Sequence, residues 1–109
     1  MIGADLQGVQ VWVATTPVEM RKSFDSLAEV VRSFLARDPL SGNLFVFRNR
    51  GGQLVKILWW DRDGLAIYYK RLARGVFLFP RGNTTAVEIS RAELLRLLSG
   101  MKLSSRQPG

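Results

Sequence analysis

Val9, Val11 and Val13 alternate with Gln10, Trp12 and Ala14, the period of two that marks a strand with one face buried. The period then changes. Thr16-Pro17-Val18-Glu19 offers an N-cap, a proline for the first helical position and a glutamate able to close a capping box. Met20, Phe24, Leu27, Val31 and Phe34 follow at spacings of four, three, four and three. They form one apolar stripe of an amphipathic helix reaching about Arg37. Lys22, Asp25, Glu29 and Arg32 occupy its other side. Asp38-Pro39 stops it, because a residue before proline avoids the helical region. Ser41-Gly42-Asn43 reads as a turn.

Leu44–Arg48, Gln53–Trp60 and Leu65–Leu72 read as strands. Asn49-Arg50-Gly51-Gly52 and Asp61-Arg62-Asp63-Gly64 separate them, turns short enough to force antiparallel pairing. Val76–Phe79 and Ala86–Ile89 add two shorter strands. Ser90-Arg91-Ala92-Glu93 is a second capping box, and it opens a short helix that Gly100 ends. The pattern predicts one α+β domain over residues 1–103, with residues 104–109 as a frayed C-terminal tail. Its architecture is an antiparallel β-meander sheet packed by one long amphipathic helix, with a short C-terminal helix. A turn at 61–64 sets Trp60 opposite Leu65 and Leu58 opposite Ile67. Both sheet faces are then largely apolar. The long helix covers one. The second helix, the first strand or another copy of the chain must cover the other, so a homodimer is among the expected assemblies.

Composition narrows the chemistry. The 109 residues include no His and no Cys, which removes Ser–His and Cys–His hydrolases and the His/Cys metal sites. No catalytic residue, metal site or cofactor is assigned. Asp61 and Asp63 lack the further carboxylates that a Ca²⁺ loop or a Mg²⁺ nuclease needs, and they read as turn residues. No apolar run reaches the length of a membrane span and the first residues lack signal-peptide character, so the expected compartment is the cytoplasm.

The net charge is +7, and it is unevenly spread. Residues 44–81 hold Arg48, Arg50, Lys56, Arg62, Lys70, Arg71, Arg74 and Arg81 against only Asp61 and Asp63. Most of the cations are Arg, whose planar fork pairs with phosphate in a bidentate way. The expected partner is a polyanion, met by Arg48, Arg50, Lys56, Lys70, Arg71, Arg74 and Arg81. Trp59, Trp60, Tyr68 and Tyr69 are candidates for base stacking or partner docking. The strand register sets one obstacle. It puts Lys56 and Arg71 on one side of the sheet and Arg48 and Lys70 on the other, so a single patch needs strong twist or help from the turns.

Several ordered blocks carry a family resemblance: Met20-Arg21-Lys22-Ser23-Phe24-Asp25-Ser26-Leu27, Leu44–Arg50, Lys56–Asp61 with Gly64-Leu65, Tyr69–Leu72 with Gly75 and Phe77, and the closing Leu94–Gly100. From about Val9 to Leu103 the chain resembles the TnpB accessory protein of the IS66 class of bacterial insertion sequences. Two positions depart from that family's pattern: Gly51, where a second basic residue is common, and Phe79, where Trp is common. The resemblance implies a small basic accessory protein for DNA transposition and DNA recombination of a transposable element. It implies no catalytic residues, and the expected partners are DNA and the transposase of the same element. Two alternatives stay open: an adaptor that meets the transposase without touching nucleic acid, and an RNA-binding regulator.

Overall fold

A computed structural model describes residues 8–100; the tail expected at 104–109 lies outside them. Five strands form one mixed sheet: β1 (Val11–Ala14), β2 (Leu44–Arg48), β3 (Leu54–Asp61), β4 (Gly64–Arg71) and β5 (Ala86–Ile89). Their order across the sheet is β4-β3-β2-β1-β5. β1 and β2 run parallel, while the other three pairings are antiparallel. The sheet is therefore not an antiparallel meander. A long connection separates β1 from β2, and a crossover of that length permits parallel pairing where a tight turn forbids it. The β3–β4 register is the one read from the sequence, with Leu58 opposite Ile67 and Trp60 opposite Leu65. Val76–Phe79 does not join the sheet as a strand. It tucks beneath it instead, the Phe77 N–H donating to the Gly52 carbonyl at 2.8 Å.

The expected long helix is also corrected. The helix α1 spans Phe24–Glu29 and continues as a π-helix over Val30–Phe34, so it starts well after Pro17. Tertiary partners have taken the backbone groups that an earlier start requires. The Val18 N–H donates to the Arg48 carbonyl at 2.9 Å. The Lys56 ammonium donates to the Met20 and Lys22 carbonyls, each at 2.7 Å. Proline fixes only φ, which suits an extended loop as well as a helix. The helix opens instead at Ser23, whose N–H donates to the Ser26 hydroxyl at 2.8 Å. Its buried stripe is Leu27, Ala28, Val31 and Leu35, while Phe24 and Phe34 stay exposed.

The two sheet faces bury separate cores. On one, Leu27, Ala28, Val31 and Leu35 pack on Ala14, Phe45, Phe47 and Leu58. On the other, Leu94 and Leu97 of α2 (Arg91–Ser99), with Phe77, pack on Val11, Val13, Val46, Val55 and Ile57. Alternation along β2 divides Phe45 and Phe47 from Leu44 and Val46. One chain thus covers both of its own faces. Among the described residues no helix is long and apolar enough to cross a membrane.

The second capping box forms as its residues predict. The Glu93 N–H donates to the Ser90 hydroxyl at 3.1 Å, and the Ser90 N–H donates to the Glu93 carboxylate at 2.7 Å. The bond from the Ser90 backbone holds the Glu93 carboxyl below its ordinary range. Because the folded value lies below the unfolded one, this contribution is complete above the unfolded value and fades as pH falls through the lowered one. Glu93→Gln should flatten that acid-side loss; thermal midpoints measured against pH for both chains check it.

Candidate nucleic-acid interface

Strand direction resolves the obstacle set by the register. Given the parallel and antiparallel pairings, β1, β2 and β4 all finish at one end of the sheet, where β3 and β5 begin. Arg48 closes β2, Arg50 sits in the β2–β3 turn, Arg71 closes β4, and Arg74 and Arg81 lie between β4 and β5. These five cations share an end of the sheet although they do not share a face. Residues that alternate between faces still converge where the strands run out. The β3–β4 hairpin at the opposite end carries Asp61 and Asp63 with Arg62.

The loops at the basic end are held by their own polar groups. The Asn49 side-chain oxygen accepts from the Gly52 and Leu54 N–H groups, both at 3.0 Å. That closes the turn carrying Arg50. Gly52 has φ +82°, in the left-handed region that glycine enters without strain. Across the end, the Thr15 N–H donates to the Thr85 carbonyl at 3.0 Å, and the Thr15 hydroxyl donates to the Thr84 carbonyl at 2.7 Å. This anchors the segment that follows Arg81.

Between the two loops lies an open groove of about 650 Å³, lined by Arg48, Arg50 and Arg81 together with Thr15, Thr16, Gly51, Gly52, Phe79 and Gly82. Among the described residues no carboxylate lines it. Arg50 and Arg81 are exposed and Arg48 is half-buried. The Arg48 guanidinium carbon lies 5.6 Å from the centre of the Phe79 ring, and its buried Nε has no hydrogen-bond partner among the described residues. Arg71 borders a neighbouring hollow with Gln53, Leu54 and Tyr69. The ion pairs among the described residues are Arg21–Glu19 and Arg32–Glu29; neither uses a cation of this group.

Two of the seven sequence candidates stand apart. Lys56 is buried, and its ammonium holds the Met20 and Lys22 carbonyls under the Tyr69 ring, 4.7 Å from the ring centre. Lys70 turns to the other face and donates to the Leu98 carbonyl at 2.8 Å, where a cation also suits the C-terminal end of α2. The aromatics do not form one platform. Trp59 and Tyr68 pack against the α2-side core. Trp60 and Tyr69 alternate to the other side, and Tyr69 is 53% exposed. Sequence reasoning missed Thr15, Thr16, Phe79 and Gly82. The signal for the shared end was nonetheless present: in consecutive hairpins, the turn after β2 and the exit from β4 must lie together.

Comparison with known proteins gives a consistent grouping. A family model described as "IS66 Orf2 like protein" matches residues 9–108. Two proteins of Sinorhizobium fredii are similar. The uncharacterized protein y4hO is 48% identical over 95 residues, covering 87% of this chain and 83% of its own. The uncharacterized protein y4jC is 35% identical over 101 residues, covering 93% and 86% respectively. No solved structure matches the chain.

Proposed function

Because this chain belongs to the IS66 Orf2-like family of insertion-sequence accessory proteins, we propose that it serves transposition as a non-catalytic factor that holds DNA by its backbone through the basic end of the sheet, beside the transposase. The observation that carries this reading is the groove lined by Arg48, Arg50 and Arg81 and by no carboxylate among the described residues. Guanidinium groups at loop ends suit phosphate oxygens. Such contacts give affinity and salt dependence but not sequence choice. The described loops at this end present no helix for a major groove.

Fluorescence anisotropy with duplexes of unrelated sequence tests the reading. Affinity should fall steeply and linearly on a logarithmic salt scale, with a slope near 0.9 per phosphate engaged, so roughly 3 from the groove alone, and with little dependence on sequence. Absence of binding at low salt would exclude the DNA contact. Co-purification with the transposase that survives nuclease treatment, in that case, would favour the adaptor. Clear preference for RNA over duplex DNA would favour the regulator.

A further inference from the structure

Among the described residues, β4 stands at the edge of the sheet with its outer side unpaired. It is eight residues long and pairs with β3 without a bulge from Leu54–Arg71 to Asp61–Gly64. The opposite edge, β5, has only four residues. Folded proteins blunt a long free edge with proline, a bulge, shortness or outward charges. β4 has neither proline nor bulge. Leu65, Ala66, Ile67, Tyr68 and Tyr69 form an uninterrupted uncharged run, and only Lys70 and Arg71 follow. Lys70 is turned away to the Leu98 carbonyl. The edge is therefore open for most of its length.

We propose that the free edge of β4 pairs antiparallel with β4 of a second copy of this chain, joining two sheets into one of ten strands. Symmetry and charge select this occupant and its register. Antiparallel pairing of identical strands about a two-fold axis closes the assembly at two copies. A two-fold axis perpendicular to the sheet keeps each face on its own side, so one residue must lie opposite its own counterpart. Centred on Ile67, the pairing sets Asp63 of each copy opposite Arg71 of the other, and both are exposed in the single chain. Centred one residue later, on Tyr68, it would set Arg71 opposite Leu65 and leave that cation without a partner. The Ile67 register is thus the favoured one. It points the two basic sheet ends in opposite directions and leaves both Arg48 grooves open. The inference does not depend on DNA binding.

Sedimentation equilibrium on the full chain should show a monomer–dimer equilibrium. Asp63→Arg and Arg71→Asp should each weaken it several-fold, because symmetry counts the pair twice, and the double variant should restore it. The chain has no cysteine, so Ile67→Cys is a clean reporter: mild oxidation should link two copies through that residue, whereas Thr84→Cys, in the loop before β5, should not. A monomer at every concentration would overturn the proposal. So would a dimer indifferent to both charge changes, or one that cross-links at Thr84 instead of Ile67.

Discussion

Lys56→Met should lower the unfolding free energy by about 2–4 kcal/mol, the cost of leaving two buried acceptors without their donor. Lys56 is 7% exposed, and its ammonium lies 2.7 Å from both the Met20 and the Lys22 carbonyl. Methionine retains much of the aliphatic volume, so the change removes the donor more than the packing. The loss should spread beyond the site. These carbonyls belong to the loop that delivers the chain to α1, and a helix this short owes its stability to tertiary packing. Denaturant unfolding should show a lower midpoint with an unchanged slope. Affinity for DNA, measured where both proteins are folded, should match that of the unaltered chain, because this cation faces inward. Undiminished stability with lost DNA binding would overturn the assignment of Lys56 to the fold.

Lys56 also marks the boundary of what the sequence makes legible. Local signals were sufficient where the partners are local. Leu58 meets Ile67 because a short turn fixes the register, and α2 lies between Ser90 and Gly100 because its capping box and its stop are both within the chain segment. They failed where a distant group competes. The start of α1 is decided by Arg48 and Lys56, far along the chain from Val18 and Met20. The parallel pairing of Val11 with Leu44 has no local signature either. The charge was legible as composition, and its division between sheet faces was legible from the register. Its convergence at one end was implied by the consecutive hairpins of β2, β3 and β4, whereas the direction of β1, which brings Thr15 and Thr16 beside Arg48, was not. Lys56 and Lys70 looked like surface cations because nothing in the sequence announces the carbonyls that they bind.

The second large effect concerns the basic end itself. Arg50 and Arg81 are exposed, lie on separate loops and flank the same groove. Neither makes an ion pair among the described residues, so removing both should disturb the fold little. If each meets a phosphate, their loss should reduce the salt slope by roughly 2 and weaken binding at moderate salt by roughly tenfold or more. The same change in net charge made elsewhere provides the control. Arg62 lies in the β3–β4 hairpin and Arg91 at the start of α2, both at the opposite end of the sheet and both exposed. A diffuse attraction to a chain of net charge +7 would respond alike to either pair.

The central claim is that DNA meets an end of this sheet and not simply a basic protein. The decisive measurement is the salt dependence of duplex binding for the unaltered chain, Arg50→Ala/Arg81→Ala and Arg62→Ala/Arg91→Ala, side by side. The predicted result is a shallower slope and weaker binding for the first double variant, with the second indistinguishable from the unaltered chain. Equal losses for the two variants, or a loss only for Arg62→Ala/Arg91→Ala, would contradict it.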